Sequence, residues 1–315
     1  MRAKKGNDAA RDAARRSPRR KAQGYDGQQA QPAAHSAELA TKRSRRASGG
    51  SQAQPADRDR HAPVAAPASL PDDLLLGRNA VTEALRAGRG INRILLAEGS
   101  REAQIAPILE LARTRGVPVE FVAREKIERA AQGARHQGVL AQAAPVAYQE
   151  LGAILRAAEQ KGHAPLLVLL DELEDPHNLG ALLRTADATG VDGILIPRRR
   201  SVPLNATVAK TSAGAIEYVP VARIGNVTQT LKELKSKGFW VAGADMDGTP
   251  YDKADLKGAL VLVIGSEGHG MTRLVKEQCD FIVSLPMVGR INSLNASVAG
   301  SILMYEALRQ RTATK

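Results

Sequence analysis

Leu166-Leu167-Val168-Leu169-Leu170 is five apolar residues in a row with no alternation, the pattern of a strand covered on both faces. Both residues in and residues out must then meet apolar partners, which commits the chain around it to layers above and below a sheet. The sequence that follows supplies them. Helical patterns over 179–189, 206–213 and 227–237 alternate with extended ones over 193–197, 217–221 and 239–244. Then come a strand over 259–264, a helix after Gly270, a strand over 281–285 and a closing helix that ends near Arg309. Alternation of this kind predicts an α/β unit with a mostly parallel sheet and helices on both faces.

A second, smaller α/β pattern precedes it. Order begins near Leu74. Gly77-Arg78-Asn79 opens a helical stretch stopped at Gly88, and strands over 91–97 and 117–122 flank a helix over 102–115 that ends at Gly116. A helix over 124–131, the loop Gln132–Gly138 and an extended stretch over 139–146 complete a unit of about 75 residues, within the ordinary range for a domain. The expected division is a tail at 1–70, a small domain at 74–147, a polar helical linker at 148–164 and the larger domain at 165–315.

The charge is concentrated outside both patterns. Of a net +12, residues 1–70 hold 15 Lys and Arg against 6 Asp and Glu, which leaves 30 against 27 for the remainder. A tail rich in Ala, Gln, Pro and Ser, with Tyr25 its only aromatic, cannot bury enough apolar surface to offset its ordering entropy and reads as disordered. Its basic clusters favour a polyanion, with nucleic acid as the abundant candidate; a solvated solubility tail is the alternative. A single cysteine, Cys279, excludes an internal disulfide and fits a reducing cytoplasm. No apolar run approaches the length of a membrane helix, and no apolar signal core follows the charged N-terminus, so a cytoplasmic protein is expected.

Open parallel sheets bind ligands outside the C-terminal ends of their strands, and three polar stretches fall there. The first, Asp171 to Ala186, includes Asp175-Pro176-His177-Asn178, with Asn178 placed as a helix cap and Arg184 almost two turns on, near the face of Asn178. Plain capping and a surface ion pair of Arg184 with Glu174 or Asp187 are the alternative. The second is Gly265-Ser266-Glu267-Gly268-His269-Gly270, whose G-x-x-G-x-G spacing is not the dinucleotide fingerprint and which could equally be a structural turn. The third runs from Leu285 through Gly289-Arg290-Ile291-Asn292-Ser293-Leu294-Asn295 into the small residues that open the last helix, a turn and helix start suited to a polar ligand or phosphate. The six histidines show no metal-ligand spacing, so no metal is expected, and the phosphate-loop and hydrolase-elbow motifs are absent. Arg198-Arg199-Arg200 is either an RNA-phosphate contact or a solvated loop.

In this order the three stretches resemble the SpoU-type branch of the SPOUT RNA 2′-O-methyltransferases over about residues 74–312. Gly77-Arg78-Asn79-Ala80-Val81, His136-Gln137-Gly138, Asp175-Pro176-His177-Asn178-Leu179-Gly180 and the Arg309-Gln310-Arg311 ending are most similar to the bacterial 23S rRNA (guanosine-2′-O-)-methyltransferases. The resemblance implies a deep trefoil knot in the larger domain, a homodimer, and an RNA-binding role for the small domain. It also implies S-adenosylmethionine held by Gly265, Leu285 and Leu294, with Ser266, Gly268 and Asn295 adjoining. By the same resemblance Arg184, Asn178, Glu267, Ser293 and Asn295 are the catalytic candidates. Because arginine stays protonated in proteins, Arg184 is read as a substrate-phosphate anchor and a stabiliser of the developing alkoxide, with Asn178 orienting it. Glu267, the only carboxylate of the set, has a structural alternative in bonding backbone donors or a partner subunit. Methylation of rRNA, most simply a guanosine of 23S rRNA, is the leading expectation. A tRNA substrate and a non-catalytic RNA-binding or ribosome-assembly factor are the others.

Overall fold

The computed structural model describes residues 70–290 and 293–313; the reading of the basic tail, and Ile291 and Asn292 of the third stretch, lie outside them. The chain divides by its contacts into Met1–Ala62 and Pro63–Lys315, and every element named below belongs to the second unit.

The small sheet is built from β1 (Leu74–Leu76), α1 (Arg78–Ala87), β2 (Ile91–Ala97), α2 (Glu102–Arg115), β3 (Val119–Val122), α3 (Arg124–Ala131) and β4 (Val139–Ala143). Its strand order is β1-β4-β2-β3, with β2 and β3 parallel and the β4 pairings antiparallel. Gly88 and Gly116 end α1 and α2 in left-handed conformations, where a residue without Cβ meets no steric cost. β1 was not foreseen as a strand; three residues carry too short a pattern to read, and their pairing with β4 creates them.

α4 (Leu151–Gln160) leads into the large sheet: β5 (Leu166–Leu170), α5 (Pro176–Thr189), β6 (Gly193–Pro197), α6 (Ala206–Thr211), β7 (Val221–Ile224), α7 (Val227–Ser236), β8 (Trp240–Pro250), β9 (Leu260–Ile264), α8 (Arg273–Lys276), β10 (Phe281–Ser284) and α9 (Ala296–Thr312). The six strands run β10-β8-β9-β5-β6-β7, all pairings parallel. β5 justifies its unbroken apolar run. Leu166, Val168 and Leu170 join the core beneath α5 and α9, whereas Leu167 and Leu169 join a separate core with Ile154 of α4 and Leu231 and Leu234 of α7.

Two segments depart from the sequence reading. The stretch 217–221 is not a strand: a 3-10 turn at Ala215–Glu217 comes first, and β7 begins at Val221. That turn is shaped by packing on the small sheet, since Gly214 (φ 96°) lies so close to Glu83 of α1 that a Cβ there would meet the Glu83 side chain at 2.5 Å. β8 is longer than expected because β10 pairs with it twice, Ile282 beside Gly243 and then Val283 beside Thr249.

The small sheet is tied to the large one by polar contacts as well as by packing. The Arg89 guanidinium meets Glu217 at 2.8 Å, both side chains nearly inaccessible, and its Nε donates to Ala144 O at 2.6 Å. Tyr218 donates to Glu83 at 2.7 Å, and Arg223 stacks over the Tyr148 ring, 4.2 Å from its centroid. Burial raises the Glu217 carboxyl above the usual range by more than Arg89 lowers it.

Candidate active site

The three stretches converge as β5, β9 and β10 end. The loop after β9 is closed by two backbone bonds between Ser266 and Gly270, each 3.0 Å. Gly265 lies against the backbone of Gly270 and Met271, so any side chain at 265 would collide with the loop, while Gly268 and Gly270 take positive φ. Asp171, buried at the end of β5, accepts from Thr272 N at 2.7 Å and so holds the far side of this loop to the neighbouring strand. The sequence offered a signal for Asp171, the first of four carboxylates that directly follow an apolar strand, but only the fold shows what it holds.

α5 begins at Pro176, three residues earlier than its expected start at Leu179. Asp175 is the N-cap, accepting from His177 N at 2.9 Å, and Pro176 occupies the first helical position, where a missing N–H costs nothing. Asn178 is therefore not the cap. It sits inside the first turn, 4% exposed, with its side chain free to leave the helix. Its Nδ2 donates to Glu267 Oε1 at 2.7 Å, and its Oδ1 accepts from Asn295 Nδ2 at 3.0 Å. Asn295 also donates to Glu267 Oε1, closing a triangle of one carboxylate and two amides.

The orientation of Asn295 is set by α9. Its Oδ1 caps that helix, accepting from Ser297 N (3.0 Å), Val298 N (3.2 Å) and the Ser297 hydroxyl (2.6 Å), which leaves the amide NH2 to face Asn178 and Glu267. Ser297 is a supporting residue that sequence reasoning passed over. A cavity of about 450 Å³ opens beside the triangle, its wall including Asp175, Asn178, Ser266 and Glu267 and its rim the Glu172–Arg200 ion pair of 2.8 Å.

Arg184 and Ser293 stand outside the triangle. Six helical residues turn about 600°, so Arg184 lies roughly 120° around α5 from Asn178 and not near its face. It is exposed and pairs with neither Glu174 nor Asp187; among the described residues it makes no hydrogen bond or ion pair. Ser293 is exposed and makes no side-chain hydrogen bond to described residues. Leu285 is half-buried and Leu294 is 40% exposed, beside the exposed Met287 and Val288, so apolar surface stands open next to the polar triangle.

The other sequence signatures turn out to be braces. Gln137 Oε1 accepts from Arg78 N at 3.0 Å and Gly77 N donates to Val139 O at 3.1 Å, so the Gly-Arg-Asn and His-Gln-Gly motifs meet. At the C-terminal end, the Arg311 guanidinium donates to the carbonyls of Ala164, Pro165, Leu256 and Gly258, pinning the end of α9 to the entry of β5 and β9. Among the described residues, no three His, Cys, Asp or Glu side chains gather as metal ligands, and no helix is long and apolar enough to cross a membrane.

Residues 165–305 match the SpoU rRNA methylase family and residues 74–149 match the RNA 2′-O ribose methyltransferase substrate-binding family. YacO of Bacillus subtilis (strain 168), assigned to the TrmH family of tRNA/rRNA methyltransferases, is 49% identical over 240 residues, 76% of this chain and 96% of that one. The chain belongs to the SpoU/TrmH family of RNA methyltransferases. A family member assigned in the same way from Staphylococcus aureus (strain MSSA476) is 50% identical over 243 residues, covering 77% and 98% of the two chains. Among solved structures, the SpoU methyltransferase AviRb of Streptomyces viridochromogenes, in complex with AdoMet, superposes with a TM-score of 0.64 at 26% identity over 76% of this chain and 90% of its own. The AdoMet-bound rRNA methyltransferase of Sinorhizobium meliloti does so with a TM-score of 0.62 at 25% identity over 75% and 86%. As a SpoU/TrmH methyltransferase, the chain brings its three polar stretches together at the ends of β5, β9 and β10.

Proposed function

We propose that this methyltransferase modifies a ribose 2′-hydroxyl in rRNA, most simply a guanosine of 23S rRNA, with S-adenosylmethionine as donor. The observation that carries the reading is the Asn178–Glu267–Asn295 triangle, which draws one residue from each of the three polar stretches to one point. The match of residues 74–149 to a ribose-methyltransferase substrate-binding family favours rRNA over tRNA as the substrate, since a folded accessory domain suits a large structured RNA.

The residues present fit the donor. Gly265 leaves the loop backbone bare of side chain, and with Ser266 bonded to Gly270 as the loop's brace, the Gly268 peptide at its tip is the group assigned to the adenine. Leu285 and Leu294 give the apolar contact, with Asn295 adjoining. S-adenosylmethionine, when bound, supplies a methyl group activated on a sulfonium sulfur.

The chain's own residues do the rest. Asn178 and Asn295 keep the Glu267 carboxylate turned into the site through two amide donors, so Glu267 is a fixed negative charge and acceptor there. Arg184, exposed and unpaired among the described residues, takes a substrate phosphate and stabilises the negative charge that develops on the ribose 2′-oxygen. Positioning the ribose oxygen in line accounts for much of the acceleration. Ser293, two residues before Asn295 in the chain, is assigned a polar contact to the bound substrate or donor.

A homodimer is part of the same reading. Val298, Ile302 and Tyr305 fall at helical spacing on the face of α9 turned away from α5, and are 46, 36 and 53% exposed. We place the second copy there, the knot in the chain between β9 and α9, and the enzyme in the cytoplasm.

The test is methyl transfer from labelled S-adenosylmethionine to unmodified 23S rRNA and to unmodified tRNA in parallel, followed by mapping of 2′-O-methyl positions. Incorporation into 23S rRNA alone is expected. Labelling of tRNA alone, or of a base instead of a ribose, overturns the substrate assignment, and no transfer to either overturns catalysis.

A further inference from the structure

The loop between α3 and β4 opens on a second cavity whose hydrogen-bond donors have no use within the chain. This cavity, of about 550 Å³, is lined by Arg124, Glu128, Arg135, His136 and Gln137, and shares no lining residue with the one beside Asn178. His136 is 6% exposed, and its Nδ1 accepts from Gly138 N at 3.1 Å. A ring nitrogen that accepts carries no proton, so the neutral imidazole holds its proton on Nε2. Burial, and after it the Arg124 charge, lowers the His136 pKa and keeps the ring neutral near pH 7. Nε2 has no partner, yet among the described residues no side-chain nitrogen sealed from solvent lacks one. The little of His136 that solvent reaches therefore includes Nε2, and the way to it is the cavity that His136 lines.

Gln137 is oriented just as firmly. Its Oε1 accepts from Arg78 N at 3.0 Å, which settles the direction of the amide and leaves the NH2 group without a partner among the described residues. Its backbone is left-handed (φ 52°), a conformation that a residue with a Cβ adopts at a cost. The turn is held on both sides, by Val139 N on His136 O at 2.9 Å and Ala97 N on Gly138 O at 2.8 Å. Arg135 is exposed and makes no hydrogen bond or ion pair among the described residues, whereas Arg124 donates to Glu128 at 3.0 Å. Two neutral donors on consecutive residues and a free guanidinium thus share one cavity with a carboxylate that is already engaged. An occupant has to bring acceptors and negative charge.

We propose that this cavity takes one unpaired nucleotide of the substrate RNA, with two adjacent base acceptors on His136 Nε2 and Gln137 Nε2 and a flanking phosphate on Arg135. Guanine turns out O6 and N7, and cytosine N3 and O2, each pair with no donor between; adenine and uracil set a donor beside the acceptors they would have to offer. The nucleotide has to be unpaired, because the deep major groove of an RNA helix shuts side chains out. A bare phosphate would leave both neutral donors unused and would not fill a cavity of this size. The pocket rests on the proposed reading of the protein as an RNA methyltransferase, and adds to it a base-reading contact that selects which RNA the accessory sheet holds.

Binding of four fluorescein-labelled hexanucleotides, UUUGUU, UUUCUU, UUUAUU and UUUUUU, to the full chain is read by anisotropy without S-adenosylmethionine. The basic residues 1–70 add the same sequence-independent attraction to all four, so the ratios between them report the cavity. The G or the C hexamer is expected to bind roughly fivefold or more tighter than the A and U hexamers, and which of them does so tells the two acceptor pairs apart. His136→Asn keeps an acceptor for Gly138 N but lacks Nε2, and Gln137→Glu keeps an acceptor for Arg78 N but lacks the NH2; each is expected to abolish the preference. Arg135→Gln weakens all four alike and flattens the log-log salt slope by about 0.7. Melting temperatures show that the folded protein is being read, and should His136→Asn not fold, Gln137→Glu decides. Equal affinity of the parent for all four, a preference for the A or U hexamer, or a preference kept in Gln137→Glu overturns the pocket. Methyl transfer to 23S rRNA is measured in parallel. A parent that methylates without any preference loses the pocket and keeps the assigned activity, whereas one whose preference is lost in Gln137→Glu but which transfers no methyl group keeps the pocket and loses the activity.

Discussion

Asn178 Nδ2 donates to Glu267 Oε1 at 2.7 Å, joining the helix after β5 to the loop after the adjacent strand β9 across 89 residues of sequence. One amide buried in the first turn of α5 thereby aims one carboxylate. The same carboxylate receives Asn295, so its direction depends on two helix starts and not on its own exposed loop.

Removing the acceptor tests this directly. Glu267→Ala leaves the Asn178 amide, 4% exposed, without its partner, a loss expected to cost about 1 to 3 kcal/mol of stability. Methyl transfer should fall by at least an order of magnitude. Glu267→Gln keeps the shape and can still accept through its carbonyl oxygen, so it should melt close to the parent. Its activity then reports the need for the charge. Thermal melting beside single-turnover methylation checks both.

Arg184→Ala should behave in the opposite way. The side chain is exposed and unpaired among the described residues, so stability should change by no more than about 0.5 kcal/mol. Methyl transfer should collapse while S-adenosylmethionine affinity, read by calorimetry, stays within a few-fold. Unchanged turnover would remove Arg184 from the reaction.

The buried Arg89–Glu217 pair makes a prediction with a sign. Arg89→Met strands a carboxylate between the sheets and should destabilise by about 3 to 5 kcal/mol near neutral pH. Because the folded Glu217 pKa is raised, the native state holds the proton more tightly than the unfolded chain. Its contribution is fully present below the unfolded value and is lost as pH rises through the folded one. The melting temperature of the parent relative to Glu217→Gln should therefore fall as pH rises upward from about 4.5, and the fall should be larger in the Arg89→Met background. Differential scanning calorimetry at a series of pH values reads it.

Ile302→Glu tests the dimer. Ile302 sits in the exposed apolar stripe of α9 with Val298 and Tyr305, so a charge there should cost the folded subunit little and convert a dimer to a monomer in sedimentation. A parent that sediments as a monomer at micromolar concentration would refute the assembly.

Much of this architecture is written in local pattern. The unbroken Leu166–Leu170 run, the Gly88 and Gly116 stops and the alternation through residue 285 identify a parallel, doubly covered sheet, because burial on two faces and left-handed helix ends each demand a residue type at a fixed spacing. The three polar stretches were legible for the same reason, falling where strands of such a sheet end. What the residues do within those stretches was not. Asn178 resembled a cap, yet Asp175 holds that post; Arg184 seemed to share its face and does not. The 3-10 turn before β7 and the doubled pairing of β8 were equally invisible.

Sequence alone therefore determined the layers, the strand ends and the family, since these follow from periodicity and from short motifs within single segments. Only the tertiary structure decided that Asn178, Glu267 and Asn295 share one point, that Arg89 locks onto Glu217, and that Gln137 braces the start of α1. Each of these joins residues tens of positions or more apart. Such contacts arise from packing whole elements at definite distances, and no local propensity carries that information.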